Sequence, residues 1–472
     1  MASPSSKDPG VVLARIGASA DRFVRRYMPD PFVLVLLLTA VALVAGFTVM
    51  PRLDDASGFT TASRLVMVWT DGFGNAEILK FGLQIILIVV TGEAIAASPP
   101  ARRLLARLTS IPATPRGALL LVTSFAIVMG WLHWGLGLVS SALLAREVAR
   151  SMHARGIRLH YPLLATGAYT SMLLWHAGLT ASAPLLMNTE KNFVSEVLKR
   201  SGPSARVPLT ETVLAPYNLI ACVALALLVP PLVASMHPKG DAPIVPFDPE
   251  SAPAPPPPPS KVAPATTPAE RLDRSRILSF AIGAVGLSFL VRYLRTHGFD
   301  LNHNVVNCSF LMLGLVLHES PVSYARAIHE SVRGVSGVVL QFPFYGGILA
   351  VMKETGLSEH IAHVFVTSST ARTLPFFTFV ASILTKSFVP SGAGEWAVEG
   401  PVMLKAAEAL GVSYGKVTMG VAYGNMLGNM YQPFWSLPLL GLMGLKARDI
   451  MGYGLVLFVV CFPILGAALL IG

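Results

Sequence analysis

Charge is scarce in this 472-residue chain: 13% of its residues are Asp, Glu, Lys or Arg, and only 26 are acidic. A soluble globular protein carries about twice that share. With 53% hydrophobic residues and a mean hydropathy of +0.60, the surface it is built for is lipid, and the reading is a polytopic membrane protein. Cysteine is nearly absent as well. Cys222, Cys308 and Cys461 stand singly in apolar segments, which excludes a disulfide framework and a cysteine metal site. Enzyme signatures are missing: His329-Glu330 opens an HExxH pattern whose fifth residue is Arg333, and no G-x-S-x-G, P-loop or aspartate-rich diphosphate motif occurs. The excess of 36 basic residues over 26 acidic ones gives a net charge of +10, but the basic residues sit in short loops beside apolar runs. That is the positive-inside pattern of cytoplasmic loops, not a nucleic-acid surface.

Arg15, Arg22, Arg25 and Arg26 precede an apolar run, Phe32 to Met50. The run is long enough to span a bilayer and no A-x-A site follows, so it reads as a retained first helix after a cytoplasmic amphipathic N-terminus, residues 1–31. Pro51 to Glu77 lacks a positive excess and is expected as an outside loop. A first transmembrane repeat is expected over 32–236. Between 237 and 272 the composition changes to a proline-rich run, APAPPPPPSKVAPATTP, which favours extended backbone and reads as a cytoplasmic linker. The second repeat is expected over 273–472.

Each half carries a broken apolar stretch. In the second, FVPSGAGEW (Phe388 to Trp396) sets Pro390, Gly392 and Gly394 beside Ser391 and Glu395. Such a break is tolerated at membrane depth only where protein or water takes up the freed backbone groups. In the first, Gly117 to Ala145 is broken at WLHWGLG and flanked on both sides by arginines. Fewer than about 30 residues cannot comfortably cross twice, so a re-entrant hairpin from the cytoplasmic side is expected, its tip at His133 to Gly137. By span parity the second hairpin enters from the opposite face. Each hairpin is followed by an interrupted helix, near Trp175-His176-Ala177-Gly178 and at YGNMLGNMYQP. Laying Gly167 to Leu186 on Val421 to Leu440 without a gap gives eight identities in twenty, including Ala168/Ala422, Tyr169/Tyr423 and the Ser-x-Pro-Leu-Leu run. The fold class expected is all-α, with two inverted-topology repeats, each holding a re-entrant hairpin and an interrupted transmembrane helix.

Half-helix N-termini present free N–H groups to an anion, and exposed carbonyls at the opposite ends suit a small cation. A carboxylate is thereby accommodated without a buried arginine, and neither tip carries one. Candidate substrate contacts are Ser391, Gly392 and Gly394; Asn425, Asn429 and Gln432 on the second interrupted helix; His133, Trp134, Gly135 and Gly137 at the first tip; and Trp175, His176, Thr180 and Ser182 at the first interruption. For each a structural role is the competing reading: tight-turn glycines, interhelical amide bonds, a satisfied core histidine. Candidates for ion coupling are Glu395, with Ser391 and Asn425, and Glu93; Glu399 is expected toward the outer mouth, and Glu93 beside a cytoplasmic arginine. No cofactor is expected beyond a coupling Na+ or H+.

In combination, RYMPDPFVLVLLLT, VWTDGFGNAEILKFGLQIILIVVTGEAIA, WGLGLVSSALLAREVAR, HNVVN, QFPFYGGI, VPSGAGEWAVEGP, AYGNMLGNMYQPFW and ARDIMGY resemble the short-chain fatty acid transporter family, the acetoacetate/butyrate permease type, over nearly the whole chain. The VPSG hairpin is similar to that of the wider ion transporter superfamily. The resemblance implies a bacterial inner-membrane, homodimeric monocarboxylate symporter driven by Na+ or H+. It also marks departures at the site: His133 where asparagine is common, Trp175-His176-Ala177-Gly178 for a glycine-rich run, Glu395 for histidine, and Asn425 for an acid. The alternatives left open are an antiporter or carrier of other carboxylates and, from another class, a membrane-embedded enzyme.

Overall fold

The computed structural model describes residues 19–20, 23, 26–27, 29–50, 58–74, 76–188, 192, 194–195, 198–199, 206–239, 243–250, 267–297, 303–332, 336–357, 360, 363–364 and 367–471. Among the described residues all regular structure is helical. Five helices are long and apolar enough to cross a membrane, from Phe32–Val49 to Ala447–Ile471.

The first half runs α1 (Pro31–Val49), α2 (Gly58–Phe73), α3 (Ala76–Ala97), α4 (Pro99–Ser110), α5 (Pro115–Leu132), α6 (Trp134–Ala154), α7 (Tyr161–Tyr169), α8 (Ser182–Met187) and α9 (Pro216–Ser235). The second runs α10 (Pro268–Asp273), α11 (Arg276–His297), α12 (His303–Leu317), α13 (Pro321–Ser331), α14 (Ser336–Glu354), α15 (Leu374–Thr385), α16 (Gly392–Leu410), α17 (Tyr414–Gly428), α18 (Ser436–Met443) and α19 (Ala447–Ile471). Helix starts follow local chemistry: Thr114 accepts from Gly117 N ahead of α5, and Ser413 from Lys416 N ahead of α17.

Two hairpins appear where the sequence breaks. α5 and α6 pack against one another around His133, and a Cβ on Gly137 would lie 2.6 Å from Gly130 Cα, so the arms touch backbone to backbone. Their 18 and 21 residues exceed the expected Gly117–Ala145 stretch, and α5 alone is long enough to cross a bilayer. The second hairpin is α15, a turn over residues 386–391, and α16. Each is followed by a discontinuous helix: α7 and α8 are separated by two short 3-10 turns, and α17 and α18 by residues 429–435. The two resumptions, Ser182 and Ser436, are paired positions in the ungapped sequence alignment.

Three expectations change. Pro51 to Glu77 is not simply a loop: Thr61, Leu65 and Gly72 are buried along one face of α2, which packs on α14 with Gly72 against the Gly346 carbonyl. The proline-rich linker begins docked: Tyr161 N donates to Val245 O (2.9 Å), Val245 N to His160 Nδ1 (3.0 Å), and Phe247 is buried against Tyr161. Residues 251–266 of the linker, most of the N-terminal lead-in and parts of an amphipathic arm expected over Leu357 to Ala371 lie outside the described residues. The third change concerns Glu399, described below.

Candidate functional site

The first hairpin tip is built by His133, which ends α5 in extended backbone and accepts from Gly135 N through Nδ1 (3.0 Å). α6 starts at once with Trp134, whose N–H donates to Thr180 Oγ1 (3.2 Å) in the first interruption. Leu179 N donates to Trp131 O (2.8 Å), and a Cβ on Gly178 would fall 2.1 Å from that same carbonyl. One turn deeper, a Cβ on Gly130 would lie 2.0 Å from Ser171 O. The tip therefore lies on the broken helix with no room for a methyl group. Gly137 serves the hairpin's own packing, and Gly135 lies against Ile88.

In the interruption, Trp175 and His176 are stacked (4.2 Å between centroids, 18° between planes), and His176 Nε2 accepts from Ala183 N (3.2 Å). Ser182 is half-buried at the first position of α8. The second hairpin reaches this stack: a Cβ on Gly392 would stand 2.6 Å from His176 Cε1 and 2.8 Å from the Trp175 ring. Ser391 caps α16 by accepting from Gly394 N (3.2 Å).

Glu395, in the first turn of α16, is fully buried where the helix dipole favours an anion. Its carboxyl receives Asn425 Nδ2 (2.5 Å) from α17 and the hydroxyl of Ser382 from α15. Glu399, four residues on and so on the same face of α16, is also fully buried, with Ser382 Oγ 3.0 Å from its Oε2. It does not lie toward a mouth, because α15 covers that face. Thr385 faces Glu399 without closing a hydrogen bond, and Glu399 Oε1 and Asn425 Oδ1 are buried without partners.

The sequence reading found no arginine at the tips, and the cation present is a lysine. Lys386 is fully buried, donates to the carbonyl of Pro390 and lies close enough to Glu395 for charge–charge interaction. The same carbonyl accepts Trp435 Nε1 (2.9 Å), and the Trp435 ring packs edge-on against Trp134 (5.2 Å, 65°). A continuous path thus joins one tip to the other through Trp134, Trp435 and Pro390. Asn429 ties the two interruptions directly, donating to Met172 O (3.2 Å). Gln432 turns away, to Tyr345 OH (2.9 Å) on α14. Beside it a cavity of about 320 Å³ has Tyr27, Ser387, Tyr431 and Gln432 as polar lining within an apolar wall that includes Leu34, Leu38 and Met451.

Glu93 is not brought to the tips. It pairs with Arg146 (3.3 Å), beside an arginine as expected, and Arg146 also donates to Leu442 O (3.1 Å) at the end of α18. Lys386, Ser382, Trp435 and Asn218 are the residues that sequence reasoning missed. Asn218, on α9, holds the first interruption through Ala177 O (3.0 Å) and accepts from Tyr423 OH (2.9 Å). The available signal for Lys386 was a single charge at the end of an apolar run, four residues before Pro390. Among the described residues no group of three His, Cys, Asp or Glu could hold a metal ion.

Residues 12–471 match the family described as short chain fatty acid transporter. A candidate short-chain fatty acid transporter of Escherichia coli K12 is 39% identical over 442 residues, 94% of this chain and 96% of its own. One of Haemophilus influenzae is 38% identical over 455 residues, 96% and 98% of the two chains. Among solved structures, the Alcanivorax borkumensis YdaH transporter gives a TM-score of 0.46 at 15% identity, covering 94% of this chain and 97% of that one. Neisseria gonorrhoeae MtrF, described within a class of antimetabolite efflux pumps, gives 0.46 at 15%, covering 96% and 97%.

Proposed function

The chain belongs to the short-chain fatty acid transporter family, and on that premise we propose that it is a secondary active symporter carrying short-chain monocarboxylates such as acetoacetate or butyrate with Na+ or H+. It is a multi-pass membrane transporter and not an enzyme. The observation that carries the reading is the meeting of four discontinuities: both hairpin tips and both helix interruptions converge, with Gly392 on the Trp175–His176 stack and Pro390 joined to Trp134 through Trp435. Broken helices that face one another offer backbone dipoles to an anion and a cation together, which a packed, unbroken bundle cannot do. The adjoining cavity, apolar with four polar residues, suits a short amphiphilic anion.

In this reading Ser391, Gly392 and Gly394 with Trp175 and His176 hold the carboxylate, and Glu395 with Asn425 answers to the coupling ion. The hairpins and interrupted helices move against a scaffold of α1, α2, α3, α11, α12 and α14, through which two copies pair in the inner membrane with N-termini in the cytoplasm. The experiment is uptake of labelled butyrate and acetoacetate into proteoliposomes, with an imposed Na+ gradient in one set and an imposed proton gradient in another. Accumulation above protein-free vesicles, abolished in Glu395→Gln and in Ser391→Ala, is expected. Absence of accumulation under both gradients overturns the symporter assignment and directs attention to other carboxylates and to antiport.

A further inference from the structure

The second hairpin tip holds three buried ionisable groups that share their partners. Pro390 O is a buried carbonyl at the tip, outside any helix, the kind of oxygen a coupling sodium would need. It has two lone pairs, and both are taken: one by Lys386 Nζ, the other by Trp435 Nε1 (2.9 Å). On the other side of Lys386, two carboxyl groups converge on Ser382 Oγ, Glu395 through Oε1 and Glu399 through Oε2 (3.0 Å). A hydroxyl has one hydrogen and donates to one of them. The second contact becomes a hydrogen bond only when one carboxyl carries a proton and donates it to the serine oxygen. That same proton leaves one ammonium facing one carboxylate, so the buried group is neutral.

The charged and titratable side chains around this pair are Lys386, Tyr431 in the break after α17 and, across Asn425, His176. Glu399 Oε1 and Asn425 Oδ1 are buried with no closed hydrogen bond, Thr385 lying beside the first and His176 beside the second.

Building on the transport reading above, we propose that the ammonium of Lys386 is the resident cation of the second hairpin tip, so that this chain needs no sodium, and that the coupling proton is carried by the Glu395–Ser382–Glu399 cluster. The proton is taken up on one face and released on the other with the carboxylate, and no bond other than that to the proton is made or broken.

Two measurements on the purified full-length protein test this. In the first, wild-type Tm and the exchange of external labelled butyrate for internal unlabelled butyrate are measured in sodium chloride and in choline chloride at equal ionic strength. Both are expected to be unchanged by sodium; a saturable, sodium-specific rise in Tm or a sodium requirement for exchange overturns the proposal. In the second, Lys386→Met and Lys386→Met/Glu395→Gln are compared with wild type. The single variant strands a buried carboxylate and loses Tm, and the double variant regains it. Should the single variant fail to fold, recovery of folded protein in the double variant is the supporting result. A single variant as stable as wild type, or a double variant no better than the single, overturns the charge balance. Tm needs no substrate, so expected Tm results with no butyrate exchange would overturn the substrate assignment and leave the resident cation standing.

Discussion

Removing the guanidinium of Arg146 tests how the far ends of the helices are held. Arg146 is 4% exposed on α6, pairs with Glu93 of α3 at 3.3 Å, lies 3.4 Å from Glu147 and donates to Leu442 O at 3.1 Å where α18 ends. Breaking a buried pair by deleting one partner costs about 3–5 kcal/mol, because the survivor is left charged. Glu93 keeps 12% of its side chain in contact with solvent, which places Arg146→Met at the low end, about 3 kcal/mol. At about 2 cal/mol/K per residue the chain has a melting entropy of about 1 kcal/mol/K, so Tm should fall by about 3 °C. Glu93→Gln should cost less, since Arg146 retains Glu147 and the Leu442 carbonyl, and the double variant should be more stable than Arg146→Met alone. Thermal unfolding in detergent, followed by circular dichroism, measures all three. Equal losses in the two single variants, or strict additivity in the double, would refute the asymmetry.

Gly178→Ala should destabilise by about 1–3 kcal/mol or more, measured as Tm, because the new methyl meets the Trp131 carbonyl and not a flexible side chain. Its φ of −108° suits any residue, so space alone decides the result. Tyr423→Phe leaves Asn218 Oδ1 with only the weak, long contact from the Cys222 thiol (3.8 Å) and should cost about 1–3 kcal/mol, with Asn218→Leu in the same background recovering little, because Ala177 O and Val213 O then lose the Asn218 donor too. His237, past the end of α9, is held below the usual imidazole range by burial while its Nε2 accepts from His160 N. A group with a lowered folded pKa contributes stability above its ordinary value of about 6.5 and loses it as pH falls through that value toward the folded one. Tm should therefore decline on acidification below that value, and His237→Gln should flatten the decline.

The sequence announces its breaks more clearly than its partners. Pro390 inside an apolar run marked the turn before α16, whose first residues are Gly392 to Gly394, and the interruptions near Trp175 and at YGNMLGNMYQP fall where the helices break. Lys386 was not legible as a site residue, since a single lysine at the end of an apolar segment reads as a side chain reaching the interface. Its burial comes from Gly428 of α17 packing on its stem and from the local turn, whose Pro390 carbonyl takes its ammonium. Glu399 carried a readable signal, its four-residue spacing from Glu395, but the covering helix α15 is a tertiary fact. The helix α2 was missed because its apolar face is narrow, at Thr61, Leu65 and Gly72, and its hydrophobicity is diluted by threonine, serine and arginine.

The backbone-to-backbone seat of the first hairpin has an evolutionary consequence. Gly130 against Ser171 O and Gly178 against Trp131 O leave no room for a side chain, so any substitution there must shift main chain and lower stability. Change in cargo or coupling ion must then come from side chains around the seat, such as Trp175 and His176, and a change at Lys386 requires a compensating change at Glu395. A saturation library should show both glycine positions depleted of every other residue.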